Sequence, residues 1–85
     1  MSDFKIEVGK HCANGAQVLA VYMDEAEGVV LATWANEFIT WVFPTDNQRA
    51  TAHGNYFMYD KNEKEAFQRA RADFIRRANK LSEEF

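Results

Sequence analysis

Glu37-Phe-Ile-Thr-Trp-Val-Phe-Pro44, then Thr51-Ala-His-Gly-Asn-Tyr-Phe-Met-Tyr59, is the stretch whose reading decides the fold. It holds six of the twelve aromatic residues: Phe38, Trp41, Phe43, Tyr56, Phe57 and Tyr59. Both runs are rich in aromatic and β-branched residues, and the polar connection Pro44-Thr-Asp-Asn-Gln-Arg49 separates them. That pattern predicts two antiparallel strands, 37–43 and 51–59. Pro44 lacks an amide donor and ends the first. Gly54 marks a place where the second bulges or meets a close neighbour.

Downstream, the apolar period changes from two to helical. Phe67, Ala70, Phe74, Ala78 and Leu81 recur at three- and four-residue spacing, with Ala66 and Ile75 widening the stripe. This predicts a helix over 62–81. Its start is signalled by Asn62 with Glu65, or by Asp60 with Glu63. Phe85 would add one more turn to the stripe.

Upstream, Gln17–Met23 and Val29–Trp34 flank the turn Asp24-Glu-Ala-Glu-Gly28 and read as a hairpin. The first of these runs has an alternative. Asn14 followed by Gln17 is also a capping-box pattern, which would open a short helix. Phe4-Lys-Ile-Glu-Val8 alternates and predicts a further short strand ended by Gly9. Lys10–Gly15 reads as a loop with a turn at Asn14-Gly15. The expectation is a single α+β domain over 1–85: an antiparallel sheet of three to five strands with a long C-terminal helix packed on one face.

A sheet covered on one side alternates apolar with polar residues. This one does not. In 37–43, Phe38, Thr40 and Val42 oppose Ile39, Trp41 and Phe43, and in 29–34 Val30, Ala32 and Trp34 oppose Val29, Leu31 and Thr33. One helix hides one face. The N-terminal segment, a second copy in a homodimer, or a docking partner must cover the other.

Eighty-five residues with one cysteine, Cys12, allow no internal disulfide. A lone thiol and the absence of an apolar run of about 20 residues suggest a cytoplasmic chain that does not enter the membrane. The net charge is −3. Residues 1–59 carry a net −4 and residues 60–85 a net +1. An acidic balance disfavours nonspecific binding to nucleic acid, which needs cationic charge.

Chemistry-bearing patterns are sparse. His11, Cys12 and His53 lack the orienting group and oxyanion site of a nucleophilic centre. They also lack the four ligands of structural zinc. The four glycines are scattered, so there is no phosphate-binding loop. Neither a cofactor nor a catalytic residue is expected. The basic grouping is Arg69, Arg71, Arg76, Arg77 and Lys80. Arg69, Arg76 and Lys80 fall on one flank of the helix, and Arg77 falls beside its apolar stripe. Asp73 dilutes the cluster.

With a helix at 17–23, the order α-β-β-β-α resembles double-stranded-RNA-binding domains in outline. Those domains carry a cationic cluster where this chain has Asp60-Lys-Asn-Glu-Lys-Glu65, so the resemblance concerns fold and not RNA binding. Phe38-Ile-Thr-Trp41, Gly54-Asn-Tyr-Phe57 and Phe74-Ile-Arg-Arg77, spanning residues 38–77, look like a pattern in short orphan proteins of bacteriophages and mobile elements. Anti-CRISPR inhibitors are among these.

That resemblance implies a non-enzymatic protein-interaction module, an inhibitor of a bacterial defence complex. The resemblance transfers no residues; the expected partner-binding residues come from the uncovered second sheet face, Trp34, Ile39, Trp41 and Phe43, or from the acidic loop, Asp24, Glu25 and Glu27. The alternative is a small nucleic-acid-binding module using Arg69, Arg76, Arg77 and Lys80.

Overall fold

The computed structural model describes residues 4–59 and 62–83. They form β1 (Gln17–Met23), β2 (Glu27–Trp34), β3 (Glu37–Pro44), β4 (Ala52–Met58) and α1 (Glu63–Glu83). The four strands lie in chain order in one antiparallel sheet, and α1 packs on one of its faces. The fold is α+β.

Residues 17–23 are a strand, not a first helix. Asn14 bends the chain instead of capping it: its Oδ1 accepts a hydrogen bond from Ala16 N at 3.1 Å, a local turn that competes with helix entry. Glycine at 15 takes φ 99°, a conformation easy only without a Cβ.

The strand expected at Phe4–Val8 does not form. Residues 4–8 run irregularly, because β1's outer edge is claimed by the chain just after them. Gly9 N donates to Val18 O (2.9 Å), Val18 N to Lys10 O (2.7 Å) and Cys12 N to Ala16 O (2.7 Å). These bonds lay the N-terminal segment over the sheet face opposite α1. There Ile6, Cys12 and Ala16 join Val18, Val30, Ala32, Ile39, Trp41 and Phe43 in one buried cluster. Ile6 N donates to the buried Gln48 Oε1 at 2.7 Å, and Gln48 Nε2 donates to Thr45 O at 3.0 Å. The connection after β3 thus pins the coil in place.

On the other face, Leu31 and Phe38 pack with Ala66 and Ala70 of α1, joined by Leu19, Phe57 and Phe74. The helix begins where Asn62 Oδ1 accepts from Glu65 N at 3.0 Å, a side-chain cap for an otherwise unpaired amide. Glu63 and Glu65 stand in its first turn and Lys80 in its last, complementing the dipole. The alternative start at Asp60 and the extension to Phe85 lie outside the described residues. No described helix is long and apolar enough to cross a membrane.

Candidate functional site

The sheet face expected to bind a partner is largely closed. Ile39, Trp41 and Phe43 are buried under the N-terminal coil, which corrects the expectation that they are displayed. Irregular chain covers apolar strands as well as a helix does, provided its own amides are bonded. Trp34 alone of the four stays out, 54% exposed.

Trp34 does not stand by itself. It pairs with Glu37 across the β2–β3 turn, Glu37 pairs with Met58, and Ile39 pairs with Tyr56. Side chains of paired positions share a face. Trp34, Tyr56 (57% exposed) and Met58 (64% exposed) therefore form one apolar corner, which the coil touches at Gly15, against the Trp34 ring, without covering it. A depression of about 250 Å³ between Asn14, Trp34, Trp41 and Tyr56 indents it. Trp41 forms its floor, its ring set edge-on to Tyr56 with centroids 6.3 Å apart. At Gly54 a Cβ would stand 2.7 Å from the Trp41 Nε1, so glycine there lets the indole approach β4 closely.

Next to this corner runs the outer edge of β4. Among the described residues, strand order leaves it without a neighbour in the sheet, whereas β1's edge is bridged by the coil at His11 and Gln17. A groove of about 310 Å³ follows the β4 edge between Tyr56 and Met58 on one side and Asn62, Glu65 and Arg69 of α1 on the other. Arg69 Nη2 and Glu65 Oε1 are 3.0 Å apart along the helix.

The acidic loop lies at the opposite end of β2 from Trp34, about 23 Å away at strand rise. Asp24 is occupied locally: its Oδ1 accepts from Ala26 N (2.8 Å) and Glu27 N (2.9 Å). Those two amides, Glu27's first, hold its carboxyl below the usual range. Asp24 is a turn-former, and Glu25 and Glu27 are exposed beside it.

The basic residues divide. Arg69 belongs to the β4-edge groove, while Arg76, Arg77 and Lys80 gather about 10 to 16 Å further along α1 at helical rise. They meet His53 and Glu27 around a groove of about 390 Å³ floored by Val42 and Leu81. His53 reaches it from a β-bulge, where His53 and Gly54 together oppose Trp41 and His53 takes φ 55°.

The hub of this end is Asp73, whose side chain is only 10% exposed. Its Oδ2 accepts from Thr40 Oγ1 (2.5 Å) and Asn55 Nδ2 (2.9 Å) and stands 3.3 Å from Arg77 Nε, while Arg76 Nη2 donates to Oδ1. Burial pushes its pKa up. Hydrogen bonds from Asn55, Thr40 and Arg76 and the charge of Arg77 outweigh that and hold the carboxyl below its ordinary value.

Cys12 is buried, and desolvation raises its thiol pKa, the opposite of what a nucleophilic thiolate needs. Among the described residues, no three His, Cys, Asp or Glu side chains converge as a metal site would require. Compared with family models, with curated proteins and with solved structures, the chain matches none.

Sequence reading named Trp34 but missed Tyr56 and Met58, whose alternation along β4 was visible. It treated Asp73 as a diluting charge. Its position one helical turn from Ala70 and Arg77, on the stripe itself, was the available signal.

Proposed function

We propose that this chain is a non-enzymatic protein-binding module that takes an extended segment of a partner along the outer edge of β4. Trp34, Tyr56 and Met58 are its apolar anchors. One observation carries the reading: an edge strand with no Lys, Arg, Asp, Glu or Pro, Ala52–Met58, has no strand partner on its outer side among the described residues and stands beside exposed aromatic and Met side chains. Natural edges are usually blunted by Lys, Pro or inward charges. An open edge beside a helix suits strand addition, where main-chain bonds supply affinity and side-chain pockets supply selectivity. Large exposed aromatics close to one another are the usual anchors of interfaces.

Selection of peptides from a random displayed library tests this. Binders should protect the β4 amides from hydrogen exchange and lose affinity with Tyr56→Ala or Trp34→Ala, while the variants keep their fold. Protection that maps elsewhere, or affinity indifferent to both changes, removes the reading. A mass that doubles with concentration and is abolished by Met58→Lys would make a second copy the occupant, as a homodimer.

The finer reading, a phage-type inhibitor of a bacterial defence complex, is supported by the resemblance over residues 38–77. Expression in bacteria with active CRISPR immunity should then restore plating of a targeted phage. No restoration across the immune types tested discards the inhibitor and leaves strand capture standing.

A further inference from the structure

The groove at the C-terminal end of α1 has a charge pattern that the β4 proposal does not use. Three cations of α1, Arg76, Arg77 and Lys80, line it together with His53. Cations in the last turns of a helix complement its negative pole, which accounts for their number. It does not account for Arg77. That side chain is 15% exposed, and its Nη1 is buried with no hydrogen-bond partner. A guanidinium carries five donors and no acceptor, and with Nε held beside Asp73 the exposed part of Arg77 lines the groove as a donor.

Asp73 is already shared among Thr40, Asn55, Arg76 and Arg77. Lys80 has no ion pair among the described residues. Glu27 lines the same groove and likewise makes none among the described residues, so cation and carboxylate share the groove without pairing. We infer that this groove holds a single oxyanionic group, a carboxylate or a phosphate, against Arg77 and Lys80 with His53 beside it. Guanidinium forks match both groups geometrically. The Glu27 carboxylate repels a second charge, which sets the site against a polyanion such as a nucleic-acid backbone. This inference stands independently of strand capture at β4.

The test is an amide-shift titration of the intact, isotope-labelled chain with inorganic phosphate and, separately, acetate. Saturable shifts at His53, Arg76, Arg77 and Lys80, with Tyr56 and Met58 unmoved, are expected. Lys80→Gln should weaken binding roughly twofold to fivefold, the size of one exposed charge pair, and Glu27→Gln should strengthen it by a similar factor. Both changes are at exposed positions, so the fold is kept. Phosphate alone shifting the site assigns a phosphate ligand, and both probes doing so assigns any small oxyanion. Absence of saturable shifts, or shifts indifferent to Lys80→Gln, overturns the inference. So does a heparin fragment that binds tightly with no gain from Glu27→Gln, which would put a polyanion there instead.

Discussion

The two faces of the sheet are closed by different means. The face under α1 is sealed by a periodic helix, yet a charged hub sits within it: Asp73, joined to Thr40, Asn55, Arg76 and Arg77. The opposite face is sealed by residues 4–16, which form no helix or strand, and the buried side chain tying them down, Gln48, is uncharged. A cover therefore needs bonded amides and apolar side chains, not a period. The contrast also concerns what each face leaves over. The coil meets Trp34 at Gly15 and leaves much of that corner exposed, whereas the helix brings Arg76, Arg77 and Lys80 to a groove beside Val42.

The most damaging way to break this contrast is Asp73→Ala. Removing one partner strands the Arg77 charge in a largely buried position and should cost about 3–5 kcal/mol in urea unfolding. For a domain of this size that is much of the total stability. On the coil side, Ile6→Ala removes a fully covered aliphatic group and should cost about 2–3 kcal/mol, at the low end for core truncations because the coil can settle. Gln48→Ala leaves the Ile6 amide without its acceptor and should cost about 1–2 kcal/mol. Hydrogen exchange should then quicken at Ile6 and Cys12 while α1 amides keep their protection. If all regions quicken equally, the two covers are one cooperative unit.

The gentlest comparison is acid titration. Asp73 has a depressed folded pKa, so its stabilising contribution is complete above the unfolded carboxylate value of about 3.9. It is lost as pH falls through the lower folded value. Stability should fall with acidification in that window, and Asp73→Asn should flatten the fall. An unchanged slope would mean that another carboxylate sets the acid limit.

Much of the fold was legible. The strands at 17–23, 29–34, 37–43 and 51–59 and the helix from Asn62 follow from spacing and turn residues, which act locally. The bulge and close contact expected at Gly54 both occur, since His53 twists there and Trp41 lies over the glycine. Phe4–Val8 misled because alternation was read as pairing, when Gly9 and Lys10 had taken the available edge. Of the docking residues expected on the sheet only Trp34 is displayed, while Glu25 and Glu27 of the turn are exposed, since burial of a strand depends on which distant segment folds back.

By itself the sequence determined one antiparallel sheet with one amphipathic helix and more apolar strand surface than that helix covers. Hydrophobic period and capping residues are properties of neighbours in the chain, so they can be read there. Only the tertiary structure decided that residues 4–16 close the second face. It alone made Asp73 a buried hub and brought His53 and Glu27 to Arg77. Those outcomes join segments far apart in sequence, and hydrogen bonds such as Ile6 to Gln48 and Thr40 to Asp73 leave no periodic trace.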